Sequence, residues 1–174
     1  MSLPDYAKTE FGTAIVWGEA SGVGVTKTLS LNGLPTGTGR MGESVDLGAS
    51  WDDECLLQLY VETGTGPEAN TVVELFLAWS LDNTIWPGKV TGSDASYTIS
   101  NKFQLGPPII SLIGTFDANT ILAQNPIIIR ARSRYVASVV INLFNVDLRD
   151  EAVTSDNNSR VILIPRRYFM QDTA

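Results

Sequence analysis

Apolar and polar residues alternate with a period of two over much of the chain. In residues 54–62, Cys55, Leu57, Leu59 and Val61 fall on one side and Leu56, Gln58, Tyr60 and Glu62 on the other, as in a strand with one buried face. Residues 71–81 repeat the pattern, with Val73, Leu75, Leu77, Trp79 and Leu81 in phase and Val72, Glu74, Phe76, Ala78 and Ser80 between them. The intervening stretch 63–70 carries Gly64, Gly66 and Pro67, which predicts a loop between two long antiparallel strands. In residues 135–144, Tyr135, Ala137, Val139, Ile141 and Leu143 are expected inward, with Ser138 and Asn142 outward. Shorter strands are expected over 12–17, 26–31, 109–113, 127–130 and 160–164. No window carries an apolar stripe of about 3.6-residue period through three turns. One turn over 145–152, bringing Asp147, Arg149 and Glu151 together, is the single helical candidate. About eight to ten strands punctuated by turns predict an all-β chain, a single antiparallel β-sandwich of jelly-roll type.

At 174 residues the chain fits one domain or at most two very small ones. Residues 1–10 are polar and read as a flexible N-terminal arm, 11–165 as the sandwich and 166–174 as a C-terminal tail. Residues 18–24 and 32–42 are long, glycine-rich connections without repeats. Within the second, Gly37-Thr-Gly-Arg-Met-Gly42 matches the spacing of a dinucleotide fingerprint. That fingerprint needs a strand, a tight turn and a helix N-terminus to hold a pyrophosphate. Pro35 precedes it and no helical pattern follows, so a flexible loop is expected.

The absence of histidine removes the usual proton shuttle, the serine and cysteine triads and every imidazole metal site. The single Cys55 forms no internal disulfide and no metal pair; inside an apolar alternation it reads as a buried, inert thiol. Carboxylates cluster at Asp52, Asp53 and Glu54 and at Asp147, Asp150 and Glu151. Neither cluster has calcium-loop spacing, and both read as solvated loop charge. No catalytic residue, cofactor or metal is therefore assigned, and a non-enzymatic protein is expected. The rival is a glycan-processing β protein working with two carboxylates. A net charge of −7 and a pI of about 4.5 argue against nucleic acid as a partner. Apolar runs stop well short of the roughly 20 residues a membrane helix needs, so no membrane partner is expected, and no basic-then-apolar leader pattern is visible.

The candidate contacts are basic and aromatic. Arg130, Arg132 and Arg134 alternate, so on a strand they would form one basic row, either gripping an acidic partner or shielding a sheet edge. Arg166-Arg167-Tyr168-Phe169 reads as a docking tail or as solvated charge. Trp79-Ser-Leu-Asp-Asn-Thr-Ile-Trp86 ends a strand at an Asp82-Asn83 turn, and Trp86-Pro87-Gly88 opens the next element. Its indoles either stack a sugar ring or close one end of the sandwich. Asn157-Asn-Ser159 matches a glycosylation sequon by pattern only. Tyr60, Phe76 and Val72 leave a second apolar face on two strands that a two-layer sandwich does not bury. With charged residues at only 18%, this predicts a homo-oligomer.

The segment Trp79 to Trp86 resembles the S-x-D-G-x-x-W strand and turn of discoidin-like and carbohydrate-binding jelly rolls. Ala131-Arg-Ser-Arg-Tyr-Val-Ala-Ser-Val-Val-Ile141 resembles their A-R-Y-V-R strand. With Gly92-Ser-Asp-Ala-Ser-Tyr97 between them, and Arg149-Asp-Glu151 and Asn157-Asn-Ser-Arg-Val-Ile-Leu163 after them, the set is similar to small virion proteins of tailed bacteriophages. The resemblance spans roughly residues 54–165 and rests on strand rhythm. It implies a capsid decoration or cement protein, made in the host cytoplasm and sited on the capsid surface, with the major capsid protein as partner. It also implies a trimer, with a dimer as second choice. The alternative it leaves is a carbohydrate-binding module of a tail or host-attachment protein, with Trp79 or Trp86 at the sugar; Asn83 stands where that pattern has glycine.

Overall fold

The computed structural model describes residues 6–20, 22–48, 54–115, 121–149 and 159–171. Along them run the strands β1 (Tyr6–Phe11), β2 (Ile15–Gly18), β3 (Lys27–Thr28), β4 (Thr38–Met41), β5 (Val45–Asp46), β6 (Glu54–Glu62) and β7 (Val72–Ser80). They continue with β8 (Ala95–Tyr97), β9 (Ile110–Ile113), β10 (Ile121–Ala123), β11 (Ile127–Arg130), β12 (Tyr135–Leu143) and β13 (Arg160–Gln171). Sheet A runs β10–β6–β13–β2–β3, with β1 on β13 and β11 on β6; sheet B runs β8–β4–β12–β7–β9, with β5 on β12. Apart from the short β2–β3 pair, the pairings are antiparallel. The chain is a β-sandwich.

Between the sheets lies the main core. Cys55, Leu57, Leu59 and Val61 of β6, with Val161 and Leu163 of β13, meet Val73, Leu75 and Leu77 of β7 and Val136 and Val140 of β12. The inward rows read from the alternation of β6 and of β7 as far as Trp79 are the rows observed. The two strands are not neighbours, however: β6 lies in sheet A and β7 in sheet B, so the 63–71 connection crosses from one sheet to the other.

A second apolar layer covers the outside of sheet B. Phe76, Ala78, Ala137, Val139 and Ile141 point outward from the sheet and are buried with Met41, Val90 and Tyr97. The cover is the chain's own segment 81–108, which carries 3₁₀ turns at Pro87–Lys89 and Ile99–Gln104. Gly88 sits where this layer is tightest: its φ is +63°, and a Cβ there would lie 2.7 Å from Leu105 Cδ2. Arg40 pins the layer by donating from Nε and Nη2 to both carboxylate oxygens of Asp94, each at 2.7 Å. Ser30 adds its N–H at 3.1 Å and its hydroxyl at 2.7 Å. Burial pushes the Asp94 carboxyl up, but the bonds from Arg40 and Ser30 outweigh it and hold the group below the ordinary aspartate range.

This layer corrects two expectations. Phe76 is covered by its own chain and needs no second subunit. On β12 the faces are reversed: Ala137, Val139 and Ile141 face the outer layer, while Val136, Ser138, Val140 and Asn142 lie on the side of the main core. Asn142 is satisfied there, donating to the Leu34 and Val146 carbonyls at 3.0 Å and accepting from the Phe144 N–H.

The glycine-rich match at 37–42 is not a loop. Thr38–Met41 forms β4 between β12 and β8, and a Cβ on Gly39 would press on Tyr97 O at 3.2 Å. The strand expected over 26–31 shrinks to Lys27–Thr28; of the turn expected over 145–152, residues 145 and 146 form bends and Leu148 bridges to Thr63, and residues 150–152 lie outside the described residues.

The ends of the chain are paired rather than loose. β13 pairs with β6 as far as Arg166, opposite Glu54. From Phe11 opposite Arg166 to Tyr6 opposite Gln171, its partner is β1. Reading 1–10 as a flexible arm and 166–174 as a tail is thus corrected for residues 6–10 and 166–171, which form a two-stranded ribbon running past Glu54, the first residue of β6. Residues 1–5 and 172–174 lie outside the described residues.

Candidate interaction surface

The strand directions bring the ribbon, the start of β6, the ends of β7 and β11, the start of β12 and the strand β5 to one end of the sandwich. All five sequence-nominated arginines are at this end, though not as one row. β11 stops at Arg130, so Arg132 and Arg134 lie in the connection to β12 rather than on a strand. Arg130 stands opposite Glu54 on β6, and Glu54 stands opposite Arg166 on β13; the Arg166 guanidinium is 3.8 Å from the Glu54 carboxylate. Arg167 stands opposite Glu10 in the ribbon. Arg134 donates from Nε and Nη2 to Asp46 at 2.8 and 2.6 Å, and its guanidinium lies over the Tyr135 ring at 5.1 Å. Arg130 and Arg132 are exposed and form no ion pair with any described residue.

A cavity of about 450 Å³ opens beside the ribbon, with Glu10, Phe11, Asp46, Cys55, Pro165 and Arg167 among its lining residues. Cys55 is fully buried in the main core, as its apolar alternation implies.

The Arg134 guanidinium and then the Gly48 N–H hold the Asp46 carboxyl down to about 2. The ordinary aspartate value is near 3.8, so this pair's contribution to stability is fully present above that pH and is lost as pH falls through about 2. Both groups are substantially exposed, and screening keeps the contribution small. A carboxyl NMR titration is expected to give Asp46 a midpoint near 2, rising toward the ordinary range in Arg134→Gln but staying below it because the Gly48 N–H remains. A midpoint near 3.8 in the unaltered protein would contradict the assignment.

The two nominated tryptophans are not brought together. Trp79 packs against the main core between the sheets, and Trp86 packs against the outer layer on the other face of sheet B. Trp86 Nε1 donates to the Asn83 carbonyl at 3.2 Å. No shared indole platform for a sugar results. Of the two carboxylate clusters only Glu54 and Asp147 are among the described residues, and they lie apart. Asp147 accepts the Thr36 N–H at the opposite end of the sandwich, while Asp52, Asp53, Asp150, Glu151 and Asn157 lie outside the described residues. Among the described residues, no three acidic or cysteine side chains converge as a metal-binding set.

One feature of this end escaped the sequence reading. β7 stops at Ser80, so Leu81 is not inward: it is 78% exposed, as is Ile85. The signal lay in Asp82-Asn83-Thr84, a turn sequence that stops the alternation one residue earlier. Comparison with protein-family models, with curated proteins and with solved structures finds no match for this chain.

Proposed function

We propose that the chain is a non-enzymatic structural virion protein that decorates and stabilises a phage capsid by binding the major capsid protein through the ribbon end of the sandwich. The observation that carries this reading is the gathering at that end of the paired terminal strands, exposed Leu81, Ile85 and Phe11, and the exposed Arg130 and Arg132. A rigid sandwich with its adhesive groups at one end suits docking on a surface rather than turnover in a cleft. The strand order also supports the finer jelly-roll reading. With β10 and β11 counted as one strand and β1, β3, β5 and β8 set aside, the principal strands follow the orders 1-8-3-6 and 2-7-4-5 in chain sequence. That is the order of two interlocked Greek keys.

The homo-oligomer, a trimer or else a dimer, belongs to the same proposal. With Phe76 covered, an apolar surface available for it is the outer face of sheet A, where Ile128, Leu56 and Ile164 stand side by side across three strands.

Mass spectrometry of purified virions is expected to find the chain at many copies per particle, and imaging is expected to locate it outside the shell and count the copies at each site. Virions that lack the chain would overturn the proposal.

A further inference from the structure

The geometry points to the turn 81–86, together with Arg130 and Arg132, as the contact that docks this end of the sandwich, and to an apolar depression rimmed by carboxylates as what it fits. This inference rests on the docking reading above and names the partner chemistry of that surface.

Leu81 and Ile85 are large aliphatic side chains, each 78% exposed, held four residues apart in one turn. The turn cannot easily fold them away. Asp82 Oδ1 accepts the N–H groups of Thr84 at 2.9 Å and Ile85 at 3.0 Å and the Ser80 hydroxyl at 3.1 Å. Ser80 Oγ in turn accepts the Asn83 N–H at 3.1 Å. Asn83 takes φ +62°, a left-handed conformation that asparagine tolerates. Trp86 anchors the far side of the turn in the outer apolar layer. The two side chains are therefore presented in a fixed geometry, and little ordering cost is left for binding.

Arg132 belongs to the same patch. The Ser133 hydroxyl, one residue on, donates to the Ser80 carbonyl at 2.7 Å, directly before Leu81. Arg130, the last residue of β11, lies two residues before Arg132. Both residues are exposed and form no ion pair within 4.0 Å with any described residue, Arg130 standing opposite Glu54 in the β11–β6 register, although the chain carries a net −7. The exposed Phe103 differs in this respect. Phe103 is 82% exposed, but its neighbour Lys102 donates to Glu74 at 2.7 Å. An aliphatic pair flanked by two exposed guanidiniums fits an apolar depression with an acidic rim, the apolar contact supplying affinity and the charges register and encounter rate.

The test is binding of the purified chain to empty shells assembled from the major capsid protein. Leu81→Ser with Ile85→Ser is expected to weaken binding by about tenfold or more. Arg130→Glu with Arg132→Glu is expected to do the same and to flatten the fall of affinity with added salt. Phe103→Ser, an equally exposed change elsewhere, is expected to leave binding unaltered. All these sites are at the surface, and circular dichroism with thermal melting checks that each variant is folded. If the parent chain binds and both double variants bind within about twofold of it, this inference is overturned and the docking function stands. If the parent chain does not bind the shells, both are overturned.

Discussion

Replacing Trp17 by alanine is expected to lower the unfolding free energy by about 3–5 kcal/mol, the range for deleting a large buried aromatic. Trp17 is fully buried in the main core and among the largest of its side chains. Its Nε1 donates to the Glu43 carbonyl at 2.7 Å, and the Glu43 carboxylate accepts the Thr28 N–H at 2.8 Å. The indole thus joins sheet A to the segment that leaves β4. Removing it opens a cavity and strips a part-buried carbonyl of its donor. Collapse into the space is limited, because β2 is held to β13 by its ladder and Gly42 already lies close against the ring. For a domain of this size the melting temperature should fall by roughly 6–20 °C. Trp17→Phe retains most of the volume and loses the hydrogen bond, so a smaller loss of about 1–3 kcal/mol is expected. Urea unfolding of the two variants checks both figures; a loss below about 1 kcal/mol for the alanine variant would contradict the role given to this side chain.

Phe76→Ala is expected to cost a similar amount, about 3–5 kcal/mol, but through a different part of the molecule. Phe76 is 1% exposed and sits under the outer layer with Ala78, Val139, Ile141, Val90 and Tyr97. Its removal should loosen residues 87–108 while the main core keeps its packing. Amide hydrogen exchange is expected to accelerate at Val90 and across Ala95–Tyr97, and to change little in β6 and β13. The measurement also separates two accounts of the apolar outer face of β7. If other subunits covered Phe76, the variant would dissociate an assembly and leave exchange in 87–108 unaltered. If the chain's own segment covers it, local opening follows at any protein concentration.

The sandwich was legible where alternation was clean. Cys55 to Val61 and Val73 to Trp79 each carry one wholly apolar row, and a strand can bury such a row in only one way. The chemistry ruled out by composition was equally legible, because missing histidine and a lone cysteine need no geometry to interpret. At the docking end, the arginines were found by type, but their arrangement was not. Arg130 and Arg166 meet on either side of Glu54 only because β11 and β13 flank β6 with matching register, a long-range pairing with no local trace. Arg134 looked like a member of a basic row and is instead committed to Asp46, 88 residues away in sequence.

The sequence alone determined that this chain is built of strands, which rows of β6 and β7 are apolar, and where Asp82-Asn83 breaks the pattern. These are local properties, set by the two-residue period of side-chain direction and by the dihedral preferences of turn residues. The tertiary structure decided the rest. On β12 both faces are apolar, so periodicity separates two rows without saying which meets sheet A; the 81–108 segment decides that by covering one of them. The glycines of 37–42 carry too little side chain to show a pattern, and become a strand because β12 and β8 supply the ladder on either side. The segments 6–10 and 166–171 look like free ends in sequence and become strands because each is the other's hydrogen-bonding partner. In each case the deciding contact lies dozens of residues away or more, and its free energy belongs to the pair rather than to either segment.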